Sequence, residues 1–376
     1  MKRNKKKILR AVTVPMSLCF CRDIMIKMRA MGYDMVAVTS PGPELEKIRD
    51  EDGFHCIEVK MERHISVVND LKSLWNMINA FRKERPYLVH SMTPKAGMIC
   101  MLAAWITRVP RRVHTFTGLV WPTATGIKRR ILMLTDWLTC ACATHIIPEG
   151  EGVKNDLCNG GITHKPMKVL GYGNVMGVDM ERFNPARFVV RKDMKTFTFV
   201  FVGRIVGDKG INELVEAFTR LHNKYNNVRL VLVGKYEQEL DPVSDATRKM
   251  IDANDAINVC GAKYGDDLLQ MYVNADCFVM PSYREGFPNT VLEAGAMGLP
   301  SIVTDINGSR EIIENGKNGL IVPPKDASAL YKAMERMLTD NAVRETMQNN
   351  ARTMIASRFE RNFVQKCLID FYKEIM

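Results

Sequence analysis

Short apolar runs rich in β-branched residues alternate with longer stretches of helical periodicity along the whole chain. The runs in the first half are Ile8–Val14, Met35–Thr39, Leu88–Ser91, Arg112–Phe116, His145–Ile147 and Lys168–Leu170. Those in the second are Phe197–Val202, Arg229–Val233, Asn258–Cys260, Cys277–Met280, Ser301–Thr304 and Leu320–Val322. Between them, stretches such as Ile211–Tyr225 and Asp267–Asn274 repeat apolar residues at helical spacing. Nearly continuous apolar strands separated by helices predict βαβ units, with parallel sheets covered on both faces. Two such series predict an α/β chain of two doubly wound domains. The break is expected where Gly171, Gly173, Asn174, Gly177, Asn184 and Pro185 crowd together. Residues 1–175 then form the first domain, 176–190 a linker, 191–350 the second domain, and 351–376 a terminal helix packing back toward the first.

A length of 376 residues suits two domains, and 46% hydrophobic with 25% charged residues excludes wholesale disorder and fibrous repeats. The longest apolar candidate, Ile131–Ile147, contains Asp136, which excludes a spanning helix. The start, Met1–Lys7 followed by Ile8–Cys21, imitates a signal peptide. Arg10 breaks the apolar stretch and no small-x-small site follows, so a basic tail entering a buried strand is expected. Ten dispersed cysteines suit reduced thiols in the cytosol.

Charge separates the halves. Residues 1–188 hold 29 Lys and Arg against 17 Asp and Glu, and residues 189–376 hold 24 against 25. A cationic first half faces something anionic; nucleic acid, anionic lipid and a phosphorylated substrate all fit. Basic clusters are Lys2–Arg10, Arg108/Arg111/Arg112 and Lys128–Arg130, the last following Phe116–Trp121. Basic residues beside exposed aromatics predict docking on an anionic membrane surface. The bland alternative makes Trp121, Ile131 and Leu134 core.

The densest chemistry lies in Pro281–Gly298, after the strand Cys277–Met280. Asn289 reads as an N-cap and Thr290–Met297 as a helix. Backbone N–H groups at such a strand–loop–helix edge, with the helix dipole, suit a phosphate. Glu285 in the loop and Glu293 in the expected first turn can accept the hydroxyls of one ligand. Upstream, Phe197–Val202 runs into Gly203-Arg204, then Lys209-Gly210. Arg204 and Lys209 there can neutralise a diphosphate. Gly234 and Gly261 end neighbouring strands and suit close approach to a base and ribose. Neither a Gly-x-Gly-x-x-Gly loop nor Gly-Lys-Ser/Thr is present. No Asp-x-Asp ends a strand, and Cys140-x-Cys142 with His145 lacks further ligands, so no metal and no cofactor are expected. In the first half, Lys95 is a candidate for meeting a phosphate, and Arg63 and His64 for lining a cleft; the resemblance described next makes these acceptor-side residues.

These residues resemble the retaining glycosyltransferases of family 4 over nearly the whole chain. The resemblance rests on Glu285-x7-Glu293, on Gly203-Arg204 with Lys209-Gly210, and on the turn Asp305–Gly308 with Glu311. His90–Gly97 and His114–Leu119 resemble a bacterial subgroup that builds capsular or O-antigen polysaccharide on a polyprenyl diphosphate carrier. The resemblance implies the GT-B fold, two Rossmann-like domains facing across a cleft. It implies that Glu293 binds the ribose, Glu285 the donor-sugar hydroxyls, and Arg204 and Lys209 the diphosphate, with Gly203, Gly234, Gly261 and Asn289–Leu292 around the donor. The family's first-domain His falls at Thr117, with His114 three residues earlier. Its glycine-rich loop is replaced by Val14–Cys21, which leaves Ser17 as an acceptor-side candidate. The implied function is retaining transfer of a hexose or N-acetylhexosamine from a nucleotide diphosphate sugar, a UDP-sugar, to a lipid-linked saccharide. The enzyme would be cytoplasmic and peripheral on the inner face of the membrane, without nucleic acid as partner. A sugar-nucleotide epimerase on the same fold is the alternative. The sequence carries no signal of oligomeric state.

Overall fold

The computed structural model describes residues 6–62, 66–237 and 241–376. They divide into two units, one running to Met176 and including Asn362–Met376, the other Gly177–Arg361.

In the first unit the strands are β1 (Lys7–Ala11), β2 (Asp34–Thr39), β3 (His55–Glu58), β4 (Leu88–Met92), β5 (Arg111–Phe116) and β6 (His145–Pro148). They form a parallel sheet in the order β3-β2-β1-β4-β5-β6. The helices are α1 (Cys19–Ala30), α2 (Pro43–Asp50), α3 (Val67–Glu84), α4 (Pro94–Ile106), α5 (Gly126–Cys142) and α6 (Glu151–Asn159). Side chains alternate across each strand. Leu9, Ala11, Val36 and Val38 pack with α3, α4 and α5. Ile8, Met35 and Ala37 pack with α1, α2 and the last helix of the chain. Burial on both faces is why these strands read as unbroken apolar runs.

The second unit repeats the plan with β7 (Phe197–Val202), β8 (Val228–Val233), β9 (Ile257–Val259), β10 (Cys277–Met280), β11 (Ser301–Thr304) and β12 (Gly319–Val322). Its parallel order is β12-β11-β10-β7-β8-β9. Its helices are α7 (Ile211–Lys224), α8 (Asp245–Asp252), α9 (Gly265–Val273), α10 (Asn289–Ala296), α11 (Ser309–Ile312), α12 (Ala327–Thr339) and α13 (Asn341–Phe359). The chain ends in α14 (Arg361–Ile375).

Several expectations change. Lys168–Leu170 is not a strand; Met167 alone bridges Ile146. The edge position belongs to β3, whose sequence His-Cys-Ile-Glu shows no apolar run because one side has no neighbour to bury it. Arg10 does not interrupt β1 but lies inside it, 1% exposed. Residues 177–190 are not a free linker: Val178 and Phe183 are buried in the second unit's core. The terminal helix is two helices. Phe359 O and Arg361 N both bond Val178, which pulls Glu360 out of helical geometry. Residues 351–359 therefore stay with the second unit, and α14 buries Leu368, Phe371, Tyr372 and Ile375 in the first.

Candidate active site

Strand order reverses between β10 and β7, and open α/β sheets bind ligands at the carboxyl ends of strands where order reverses. The loops leaving these two strands interlock. Gly210 has φ +70°, and a Cβ there would stand 2.0 Å from the Pro281 carbonyl oxygen. The Tyr283 amide donates to Asp208 O at 2.8 Å. One strand further on, a Cβ on Gly234 would stand 1.7 Å from Gly203 O, and the Gly234 amide donates to Gly261 O at 2.9 Å. The glycines at Gly203, Gly234 and Gly261 thus knit three turns into one rim.

Charged side chains cover this rim. Lys209 is paired with Glu285, and both side chains are 15% exposed. Arg204 Nη1 meets Glu237 at 2.7 Å and also lies in the field of Asp208 and Glu285. Arg284 pairs with Asp208 at 3.0 Å, and the Tyr283 hydroxyl donates to Glu213 at 2.6 Å. The Arg204–Glu237 pair is well exposed, so separating it costs at most about 1 kcal/mol. An incoming diphosphate can therefore take Arg204 from Glu237. Glu237, Asp208, Arg284 and Tyr283 carried no motif signal; only the tertiary contact identifies them.

On α10 the expected cap changes. Asn289 is the first helical residue and Pro288 the cap, without a side-chain bond. Val291 and Leu292 are fully buried, and their amides already donate to Pro288 O. They are core residues, and their amides are engaged within the turn. Glu293 lies in the second turn, not the first. It accepts a hydrogen bond at 3.0 Å from the buried Tyr272 hydroxyl. Burial pushes its carboxyl up to about 7, opposed by the Tyr272 bond and the charge of Arg182.

The first-unit candidates fare differently. His114 is 1% exposed, bonds Ser91 Oγ at 2.8 Å, and faces Gly97 so closely that a Cβ there would touch its ring. Burial drives its pKa down to about 3, so it stays neutral. It packs inside the first unit, against β4 and α4. Lys95 is bound by both oxygens of Asp70, at 2.6 and 2.7 Å, with little exposure. The expected acceptor-phosphate lysine is thus held in an ion pair, as Lys209 is by Glu285. Thr117 is half-buried just after β5, and Ser17 half-buried in the short 3-10 turn Pro15–Leu18. Arg63 and His64 lie outside the described residues. His90 is buried among Arg10, Tyr372 and Thr115, so its motif serves packing.

The basic face also changes. Phe116 and Trp121 are buried. Arg111 and Arg112 donate to Ile375 O and Cys142 O, both at 2.6 Å, which commits them to the fold. The exposed apolar residues are instead on α5: Ile127, Ile131, Leu134 and Trp137. At 100° per residue they fall within about 120° of one helix face. Lys128, Arg129 and Arg130 beside them are exposed, and the helix's one acid, Asp136, is buried. Val67, Val68, Leu71 and Trp75 add an exposed apolar face on α3. Among the described residues no helix is long and apolar enough to cross a membrane, and no cluster of metal-ligating side chains occurs. All ten cysteines are unpaired.

Residues 20–173 match the model of the glycosyl transferase 4-like domain, and residues 183–354 that of glycosyl transferases group 1. The chain is 34% identical to a capsular polysaccharide biosynthesis glycosyltransferase, CapM, of Staphylococcus aureus, over 99% of this chain and 98% of that one. It is 29% identical to a UDP-Gal:alpha-D-GlcNAc-diphosphoundecaprenol alpha-1,3-galactosyltransferase of Escherichia coli, over 83% and 81%. A crystal structure of HepE from Anabaena in complex with UDP shares the fold, with a TM-score of 0.78 at 17% identity over 98% of this chain and all of that one.

Proposed function

This chain belongs to the group 1, family 4-like glycosyltransferases of the GT-B fold, and on that premise we propose the reaction it carries out. It moves a hexose or N-acetylhexosamine, with retention of configuration, from a UDP-sugar to a polyprenyl-diphosphate-linked saccharide in cell-surface polysaccharide assembly. The observation that carries this reading is the junction of the β7 and β10 loops, where Lys209 meets Glu285 with Arg204 in the same field. The E. coli relative's named acceptor supports the lipid-linked saccharide. The uridine nucleotide draws support from that relative's donor and from the UDP held by HepE.

In this reading Arg204, Lys209 and the Thr290 amide hold the donor diphosphate. Glu285 accepts hydroxyls of the sugar, and Glu293 those of the ribose. As the bond from the sugar's anomeric carbon to the phosphate oxygen breaks, negative charge grows on UDP. Fixed cations and amide dipoles are most effective against charge that develops in the transition state. The acceptor hydroxyl attacks the same face of the sugar, and its proton passes to the leaving phosphate. Arg204 and Lys209 supply the positive charge, so no divalent ion is needed. The matches over both halves to transferases leave the epimerase reading without support.

The acceptor brings the enzyme to the inner face of the cytoplasmic membrane as a peripheral protein. The α5 face supports this: apolar side chains at its centre, and cations beside them for anionic headgroups.

The test is a thermal-shift screen of the full chain against nucleotide sugars, followed by transfer to a polyprenyl-diphosphate saccharide with the best stabiliser. A native-state ligand raises the transition. Stabilisation by a UDP-sugar and transfer with an unchanged anomeric configuration are expected. Inversion, or no stabilisation by any nucleotide sugar, overturns the reading.

A further inference from the structure

Behind Glu293 stands a residue that the donor itself does not reach. Tyr272 on α9 is fully exposed to no solvent at all: its relative exposure is 0%, and it is among the largest buried side chains of the chain. Its ring lies against Phe278 of β10, with centroids 6.1 Å apart, so the core holds its direction. Its hydroxyl donates to Glu293 Oε2 at 3.0 Å. Oε1 has no hydrogen-bond partner among the described residues.

We infer that Tyr272 is a positioning residue for donor binding, fixing the Glu293 carboxylate so that its second oxygen is presented to the hydroxyls of the nucleotide's ribose. This rests on the assignment of Glu293 to that ribose. A glutamate has three rotatable bonds and a nearly free terminal torsion. A single bond from a rigid, buried phenol removes that freedom before the ligand arrives, which lowers the cost of binding. The same bond favours the ionised carboxylate, the form that accepts from two hydroxyls. Arg182, from the segment before β7, acts in the same direction. The charged groups of the helices packed against α10 are turned elsewhere. Arg352 of α13 donates to Phe183 O and Ala296 O, and Arg310 of α11 bonds Asp305 and Asn307. Glu311 accepts from the Gly308 amide. Tyr272 is thus the hydrogen-bonding control on Glu293 among the described residues.

The experiment compares wild type, Tyr272→Phe, Glu293→Gln and the double variant of the full chain. UDP affinity is measured by calorimetry from pH 6 to 9, with donor KM and kcat measured alongside. A hydrogen bond to a charged group is lost in Tyr272→Phe, so UDP affinity at pH 7 should fall about tenfold. Donor KM should rise in step while kcat changes less than about twofold. The pH below which UDP affinity declines should move upward, a change that loss of packing alone would not cause. In the Glu293→Gln background, where no carboxylate is left to orient, adding Tyr272→Phe should cost clearly less than it does in wild type. If Glu293→Gln binds UDP as tightly as wild type, the ribose assignment itself fails. If Glu293→Gln weakens UDP but Tyr272→Phe keeps wild-type affinity and pH midpoint, or weakens it additively in the double variant, the role of Tyr272 is overturned.

Discussion

A carboxylate kept in a buried site for a ligand should cost the fold stability, and Glu293 allows that cost to be measured. Its pKa is raised from 4.5 to about 7, chiefly by burial. The sign follows from linkage. Below pH 4.5 the group is protonated in both folded and unfolded chains, and no cost exists. Between 4.5 and 7 the unfolded chain ionises while the folded one holds its proton, so stability declines as pH rises. Above 7 the full cost is present. Holding the carboxyl at about 7 instead of 4.5, at about 1.4 kcal/mol for each pH unit between them, costs about 3 kcal/mol at pH 8. Glu293→Gln removes the ionisation, and its amide oxygen can still accept from Tyr272. The variant should therefore be more stable than wild type by about 3 kcal/mol at pH 8 and by about 1 kcal/mol at pH 5. At about 2–4 °C per kcal/mol for a unit of this size, the second unit's transition should rise by about 6–12 °C at pH 8. Thermal unfolding followed by circular dichroism without nucleotide, at both pH values, is the assay. An equal gain at pH 5 and pH 8, or destabilisation at pH 8, would refute the reasoning. A stabilised variant that no longer holds UDP would mark Glu293 as a residue retained for function against stability.

Other outcomes follow from the same geometry. Lys209→Ala and Glu285→Ala should each lower kcat by about a hundredfold, as loss of a group facing developing charge does, with turnover of the folded variants as the measure. Gly210→Ala should destabilise the second unit by more than about 2 kcal/mol, because an added Cβ meets Pro281 O in a left-handed backbone; its unfolding transition reports this. Replacing Ile127, Leu134 and Trp137 by Glu should abolish co-sedimentation with vesicles containing phosphatidylglycerol while leaving transfer to a water-soluble acceptor analogue intact. Retained sedimentation would remove α5 from the membrane face. Turnover should be the same with and without EDTA.

The strand pattern was legible because parallel strands are apolar on both faces, so local composition reports burial directly. Where burial is one-sided, as in the edge strand His55–Glu58, composition is silent. Arg10 reads as a break in the pattern because a cation inside a strand costs too much unless tertiary partners hold it. Those partners include Tyr372, 362 residues away in the chain. The surroundings of His114 and Lys95 could not be read from sequence, because side-chain chemistry is visible there and side-chain direction is not. The structure turns His114 onto Gly97 and closes Lys95 with Asp70.

What the amino-acid order determined alone was the two series of βαβ units and the loop residues at their strand ends, since both follow from local periodicity and turn chemistry. Tertiary packing decided which of those residues meet. Lys209 reaches Glu285 because β7 and β10, which start 80 residues apart at Phe197 and Cys277 but are adjacent in the sheet, share the point of strand reversal. It also decided that Tyr272 stands behind Glu293 and that Trp121 is core while Trp137 is exposed. Helical or strand spacing selects a face, but only the neighbours that cover that face determine what is left for a ligand or a membrane.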